Sequence, residues 1–384
     1  MGRTRPKNRK ARPPAPELSE SQRENKSEPT IEALLEKAQE LIVQCDYDLA
    51  GKFVQRVLKR APDNVEGKEI LGVVQLETGH LDAAKQTFLS LLPPSPGAPS
   101  PPPPAAHLYL AQLSDDDPQT ALKHFAAAVN ILTLQLKGKD RAADNDVTSV
   151  KSDEDEARRT IVRALIGQVE IWMDPAYDLC FDPAAEANCE ELLKSALQVD
   201  PENTEALQTL ASVRMSQQRP DEAKELLEKA WLSWKDLDAD NPQLPPIASR
   251  LNLTKLFLEL SLFTPALMVL QGIMASDDEE VEAWYLEGWC FFLMAEQARE
   301  HGGKLDELTW EELAKDSRDC LETCKTLHVN QGHPDLPLRE HVKELISRLE
   351  ELGVKPSPED DGQDDDDWED YEGSDGSDSD VEMS

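Results

Sequence analysis

The chain has 384 residues, more than one ordinary domain, with 39% hydrophobic residues, enough for a continuous core, and only 5% aromatics. Its 76 acidic and 40 basic residues leave a net charge of −36, which repels nucleic acid and membrane surfaces and attracts cationic partners. No apolar run reaches the roughly 20 residues of a membrane span, the N-terminus lacks the apolar core of a secretory signal, and the six scattered cysteines fit a reducing intracellular compartment.

Residues 1–29 open with Arg3, Arg5, Lys7, Arg9, Lys10 and Arg12 and hold no acid before Glu17. Pro6, Pro13, Pro14 and Pro16 forbid a helix, so a disordered basic arm is expected, and its cluster is a candidate nuclear import signal read by an import receptor. From Thr30 the pattern changes. Ile31, Leu34, Leu35, Ala38, Leu41 and Ile42 form one apolar helical stripe, and Asp46-Tyr47-Asp48 turns into a second helix bearing Ala50, Val54 and Val57. The next pair carries Leu71-Gly72, Gly79, Ala84 and Phe88. Ala50 to Ala84 and Pro62 to Pro96 are both 34 residues apart.

A proline-rich insert, 93–104, is expected outside helices as a stiff loop. A third pair follows on Leu108, Leu110, Ala111 and Leu113, then Ala121, Phe125 and Ala128. Residues 138–156 lack apolar periodicity and read as a mobile loop; a helix from about Ala157 to Met173 then starts the fourth pair. Between Ala184 and Trp231 the registers repeat: Cys189, Leu193 and Ala196 are followed 34 residues later by Ala223, Leu227 and Ala230. A small, large, small series at i, i+4 and i+7 is one helical face around a bulky plug. The pattern continues through Leu253, Phe257 and Leu260 into Ala266, Leu270 and Ile273. It recurs at Trp284, Gly288 and Phe291, whose partner helix is delayed to about Thr309–Leu327, and closes with a charged helix over about Leu336–Leu352.

A 34-residue period of paired amphipathic helices resembles the tetratricopeptide repeat. The expectation is an all-α, right-handed superhelical solenoid of about seven tetratricopeptide-like helix pairs over 30–352, ending in a C-terminal capping helix. Residues 353–384 then form an acidic tail. From Ser357 onward it has 14 acids and no base, with Ser374, Ser377 and Ser379 resembling acidophilic-kinase sites.

No catalytic constellation stands out: no phosphate loop, HExxH or GxSxG. Neither a catalytic residue, a cofactor nor a metal is expected. Cys320, Cys324 and His328 share one helical stripe, but with no fourth ligand apparent they read as core or seam residues.

In the tetratricopeptide family the first helix of each pair lines a concave groove. The resemblance therefore implies a groove of Glu32, Gln39, Glu66, Glu69 and Glu77, then Glu205, Gln208, Asn252, Glu259 and Glu282, with Tyr285, Trp289 and Phe292 near its C-terminal end. Such a lining suits a long basic segment, with carboxylates pairing Lys and Arg and aromatics supplying cation–π contacts. Lys255 is the one cation placed there, which disfavours a clamp for a terminal carboxylate. A basic arm, about seven degenerate repeats, an acidic groove and an Asp-rich tail together resemble the dedicated assembly chaperones of large-subunit ribosomal protein four, a fungal-type family. That resemblance implies capture of the newly made client, shielding of its long basic internal loop, passage between cytoplasm and nucleus, and release on the pre-ribosome. Direct binding of nucleic acid or membrane is not expected. An acidic histone chaperone and a scaffold subunit of a multiprotein complex remain the alternatives.

Overall fold

A computed structural model describes residues 29–139, 147–305 and 307–357. The candidate import cluster and nearly all of the acidic tail lie outside these residues. The chain divides into two compact units at Pro201–Glu202.

The first unit holds eight helices: α1 (Ile31–Val43), α2 (Tyr47–Arg60), α3 (Val65–Glu77), α4 (Leu81–Leu89), α5 (Pro104–Gln112), α6 (Pro118–Lys139), α7 (Val147–Met173) and α8 (Ala185–Val199). They pack as consecutive antiparallel pairs, each leaning on the next. The second unit holds α9 (Thr204–Ser216), α10 (Pro220–Leu232), α11 (Ile247–Glu259), α12 (Phe263–Met274), α13 (Val281–Glu300), α14 (Trp310–Gln331) and α15 (Leu336–Glu351). Four pairs and then three pairs with a final single helix match the expected all-α tetratricopeptide architecture.

Local signals set the boundaries. The side chains of Thr30, Asp46, Asn64 and Asn203 accept from the backbone N–H three residues on, at 3.2, 3.1, 2.6 and 3.0 Å, capping α1, α2, α3 and α9. Thr309 and Glu312 form a reciprocal capping box on α14. The first helix of four pairs ends the same way, in a left-handed residue: Cys45, Gly79, Gln218 and Ser261. In each the following N–H reaches back five residues, as in Asp46 to Leu41 and His80 to Gln75, which reverses the chain tightly into the second helix.

The repeating plugs are in the core. Ala50, Val54 and Val57 of α2, Ala84 and Phe88 of α4, Leu193 and Ala196 of α8, and Ala223, Leu227 and Ala230 of α10 are all fully buried. Gly72 is where α3 crosses α4: a Cβ there would stand 2.5 Å from the Phe88 ring. Gly288 has the same role on α13, where a Cβ would meet Leu321 at 2.8 Å.

Two expectations need correction. The loop assigned to 138–156 is helical at both ends, because α6 runs to Lys139 and α7 already begins at Val147; only 140–146 fall outside the described residues. Sparse apolar residues hid this. A helix keeps its backbone hydrogen bonds without an apolar stripe. Pro104 belongs to α5 as its first residue, where its missing N–H costs nothing, so the insert ends one residue earlier. Between α13 and α14 a short hairpin pairs Lys304–Leu305 with Leu308–Thr309.

Replacing Gly72 with alanine is expected to destabilise the protein by about 1–3 kcal/mol, because the methyl must displace Phe88. Gly138→Ala, where a Cβ meets nothing within 4 Å, is expected to be neutral or slightly stabilising. Denaturant unfolding of both variants, followed by helical circular dichroism, checks the contrast.

Candidate functional site

In the first unit, α3 gathers the expected acids. Glu66 is exposed and accepts from Gln39 Nε2 of α1 at 2.7 Å, so α1 and α3 present one polar face. Glu69 is half-buried; burial and the neighbouring Glu66 carboxylate raise its pKa above the ordinary carboxylate range. Glu69 and Glu77 both face Tyr109 of α5, whose phenol is raised first by burial and then by these two charges. Tyr109 is itself braced by stacking on Phe88, with ring centroids 4.7 Å apart. Glu66, Glu69 and Glu77 thus lie together on a surface with Gln39 and Tyr109, while Glu32 stands exposed on α1. Lys68, the cation nearest in sequence, pairs at 3.5 Å with Asp63, outside this group.

Tyr109 had not been singled out from the sequence. Its alternation with Leu108 and Leu110 hid which way it faces. The stretching of the period by the proline insert removed the register that would have assigned it.

The second unit arranges its residues differently. Glu205, Asn252 and Glu259 are exposed. Gln208 is 6% exposed and inward, its Nε2 donating to Ser249 Oγ of α11 at 3.4 Å, so it ties α9 to α11 and offers no open contact. Glu282 is paired with Lys255 at 2.6 Å, which removes the one cation of the face by joining α13 to α11.

The aromatic residues of α13 are covered by α15. Tyr285 stacks on Trp289 at 5.9 Å, and both rings meet the His341 imidazole edge-on at 5.7 Å. Burial, with Glu282 adding to it, pushes the Tyr285 phenol up to about 12. The phenol therefore keeps its proton and shares a hydrogen bond of 2.8 Å with His341 Nδ1. Phe292, expected in the groove, is 3% exposed, with the Arg348 guanidinium 4.6 Å over its ring. Arg348 is held there by Glu296 at 2.6 Å. Phe292 is thus a core residue, while Tyr285 and Trp289 keep only partial exposure. The heptad spacing of His341 and Arg348 was the available signal that α15 presents one face to α13.

The Cys320, Cys324 and His328 stripe is a seam of α14. Cys320 donates to Glu287 Oε2 and Cys324 to the Val281 carbonyl, each at 3.5 Å, and His328 Nε2 sits 2.8 Å from the Asp335 carbonyl. Burial pushes the Cys324 thiol up to about 12, away from a thiolate. Among the described residues no group of three or more His, Cys, Asp or Glu is arranged to hold a metal ion.

Consecutive helix pairs displaying side chains from their first helices define a tetratricopeptide-type protein. The tetratricopeptide repeat family model matches residues 35–99 and 184–236. The chain is 30% identical over 325 residues to a Schizosaccharomyces pombe protein named "Probable assembly chaperone of rpl4", covering 84% of this chain and 92% of that one. An Emericella nidulans protein of the same name is 30% identical over 348 residues, 87% of this chain and 84% of its own. The solved structure of Assembly Chaperone of RpL4 (Acl4), residues 1–338, is similar with a TM-score of 0.63 at 28% identity, covering 72% of this chain and 100% of that one. The chain belongs to this family of rpl4 assembly chaperones.

The raised Glu69 carboxyl makes the folded state bind protons more tightly than the unfolded state. Its ionisation therefore weakens the fold as pH rises through the folded-state value, and that penalty vanishes below the unfolded one. Glu69→Gln is expected to raise the melting temperature by about 1–3 °C at pH 7. The gain should shrink towards zero as pH falls through the carboxylate range. Thermal unfolding of both proteins at pH 7 and pH 4 checks this.

Proposed function

We propose that the protein is a dedicated, non-catalytic chaperone of large-subunit ribosomal protein four, which it binds as newly made chain and keeps soluble until assembly. The observation that carries this reading, beside family membership, is the joint placement of Glu66, Glu69 and Glu77 with Tyr109 on one face of the first unit. A ribosomal protein's basic internal loop has no folded partner until it meets RNA. A polyanionic surface substitutes for the phosphate backbone by pairing the loop's Lys and Arg, while the Tyr109 ring accepts apolar or cation–π contact. Counterions leave both partners on binding, so the complex weakens with salt.

In the same reading, Glu32 adds to this face; within the second unit Glu205 and Glu259 offer exposed carboxylates, Glu282 contributes less because Lys255 neutralises it, and Tyr285 and Trp289 offer an aromatic edge. The cluster Arg3, Arg5, Lys7, Arg9, Lys10 and Arg12 would engage an import receptor, carrying protein and client from cytoplasm to nucleus. The net charge of −36 argues against direct contact with nucleic acid.

Charge reversal of Glu66, Glu69 and Glu77 to lysine together is expected to weaken binding of a synthetic peptide from the ribosomal protein's basic loop by tenfold or more at low salt, as loss of several complementary charges does. Wild-type binding should fall steeply as salt rises. Isothermal titration at two salt concentrations, with circular dichroism confirming intact helices, measures it. Unchanged affinity at low salt in a folded triple variant would remove the acidic face from the function.

A further inference from the structure

Within the first unit, α6 and α8 stand apart on either side of α7, leaving a cleft of about 420 Å³, the size of a small binding pocket. Gln119, Leu122, Lys123 and Ala126 line one wall and Asn188, Glu191, Leu192 and Ser195 the other; Gln168 and Trp172 of α7 make the floor. Both walls use positions i, i+3, i+4 and i+7, so the two helices present matching faces about 10 Å long. This is a built feature, separate from the acidic surface of α1, α3 and α5, and nothing in the proposed chaperone activity uses it.

Gln168 is the informative residue. It is 6% exposed, and its Nε2 donates to the Ala164 carbonyl of its own helix at 3.1 Å. Its Oε1 has no protein donor among the described residues and is not sealed in the core, so at the cleft lining it is free to accept from a bound chain in exchange for water. Gln119 and Asn188 add further amides. A helical ligand satisfies its own backbone and would leave these amides unmatched, whereas an extended chain offers free N–H and C=O groups at every residue. About three extended residues span the cleft. Trp172, with Leu122, Ala126 and Leu192, gives an apolar seat for one bulky side chain. Lys123 and Glu191 face the cleft from opposite walls without pairing to each other.

We infer that this cleft is a second binding site, taking an extended, net-neutral segment of another polypeptide with one bulky apolar side chain flanked by an acid towards Lys123 and a base towards Glu191. The chain's own segments outside the described residues match poorly. Residues 140–146 have no bulky apolar residue, 358–384 set Trp368 and Tyr371 among acids that Glu191 repels, and the first 28 offer Leu18 as their only branched apolar side chain.

The test uses the full chain labelled with 5-fluorotryptophan, with Trp172 assigned by Trp172→Phe, and titrates the capped peptide acetyl-Glu-Ser-Phe-Ser-Lys-amide by fluorine resonance. A saturable shift of the Trp172 signal is expected. Binding should weaken about tenfold when the peptide's phenylalanine is N-methylated, and likewise in Gln168→Met, as loss of one hydrogen bond predicts. Reversing both walls, Lys123→Glu with Glu191→Lys, should favour the peptide with its acid and base exchanged. No shift up to millimolar peptide, equal binding of the N-methylated peptide, or equal binding of a helix-locked analogue would overturn the inference. So would a Trp172 signal in the free protein that moves on Leu18→Ser, since the cleft would then belong to the chain's own arm.

Discussion

Every pair in this protein depends on a close approach that only small residues allow. Gly72 against Phe88 and Gly288 against Leu321 are the tightest examples, each leaving no room for a methyl group. At the second-helix crossings alanine does the same, with Ala50, Ala84, Ala223 and Ala266 wholly buried. Where a backbone meets a bulky side chain at such distance, dispersion contacts are dense and the pair behaves as one slab. A slab buries one side of each helix, and the other side must be covered by the next slab. The exposed positions of the first helices are what stacking leaves over, and the acids of α3 occupy them.

The architecture was legible because this constraint writes itself into sequence as period. Cys189, Leu193 and Ala196 against Ala223, Leu227 and Ala230, or Ala50 against Ala84, needed no structure to be paired. What resisted reading were departures from the period. The α7 helix extends into a stretch with few apolar residues, so no period announces it. Tyr109 lay just past the proline insert, where the register had slipped. The site was legible in its charge but not in its coverage. A repeat rule places Phe292 on the first-helix face correctly, yet cannot know that α15 will lie across it. The rule likewise makes Gln208 a groove residue, whereas the structure uses its amide to join α9 and α11.

Electrostatics divides the two units in character. On α3 burial, with the neighbouring Glu66 carboxylate adding to it, makes Glu69 resist ionisation. In the second unit several acids near α13 and α14 are answered from within, although burial raises the Glu287 and Asp316 carboxyls too. Lys255 meets Glu282, Arg348 meets Glu296, and the buried Arg318 reaches Glu322 and Glu350 at 2.7 and 2.8 Å while donating to the Ile346 carbonyl. Those contacts anchor α15.

That closure bears on how such a chain can change in length. With His341 against Tyr285 and Trp289, and Arg348 over Phe292, α15 fills the place where the first helix of another repeat would sit. A duplicated repeat inserted before α13 would meet ordinary slab surfaces on both sides. One added after α14 would have to displace α15 and find a new cover for three aromatic rings and a buried arginine. Gain or loss of repeats in relatives is therefore expected to be confined to positions upstream of α13, with the last helix pair and its lid inherited as one piece.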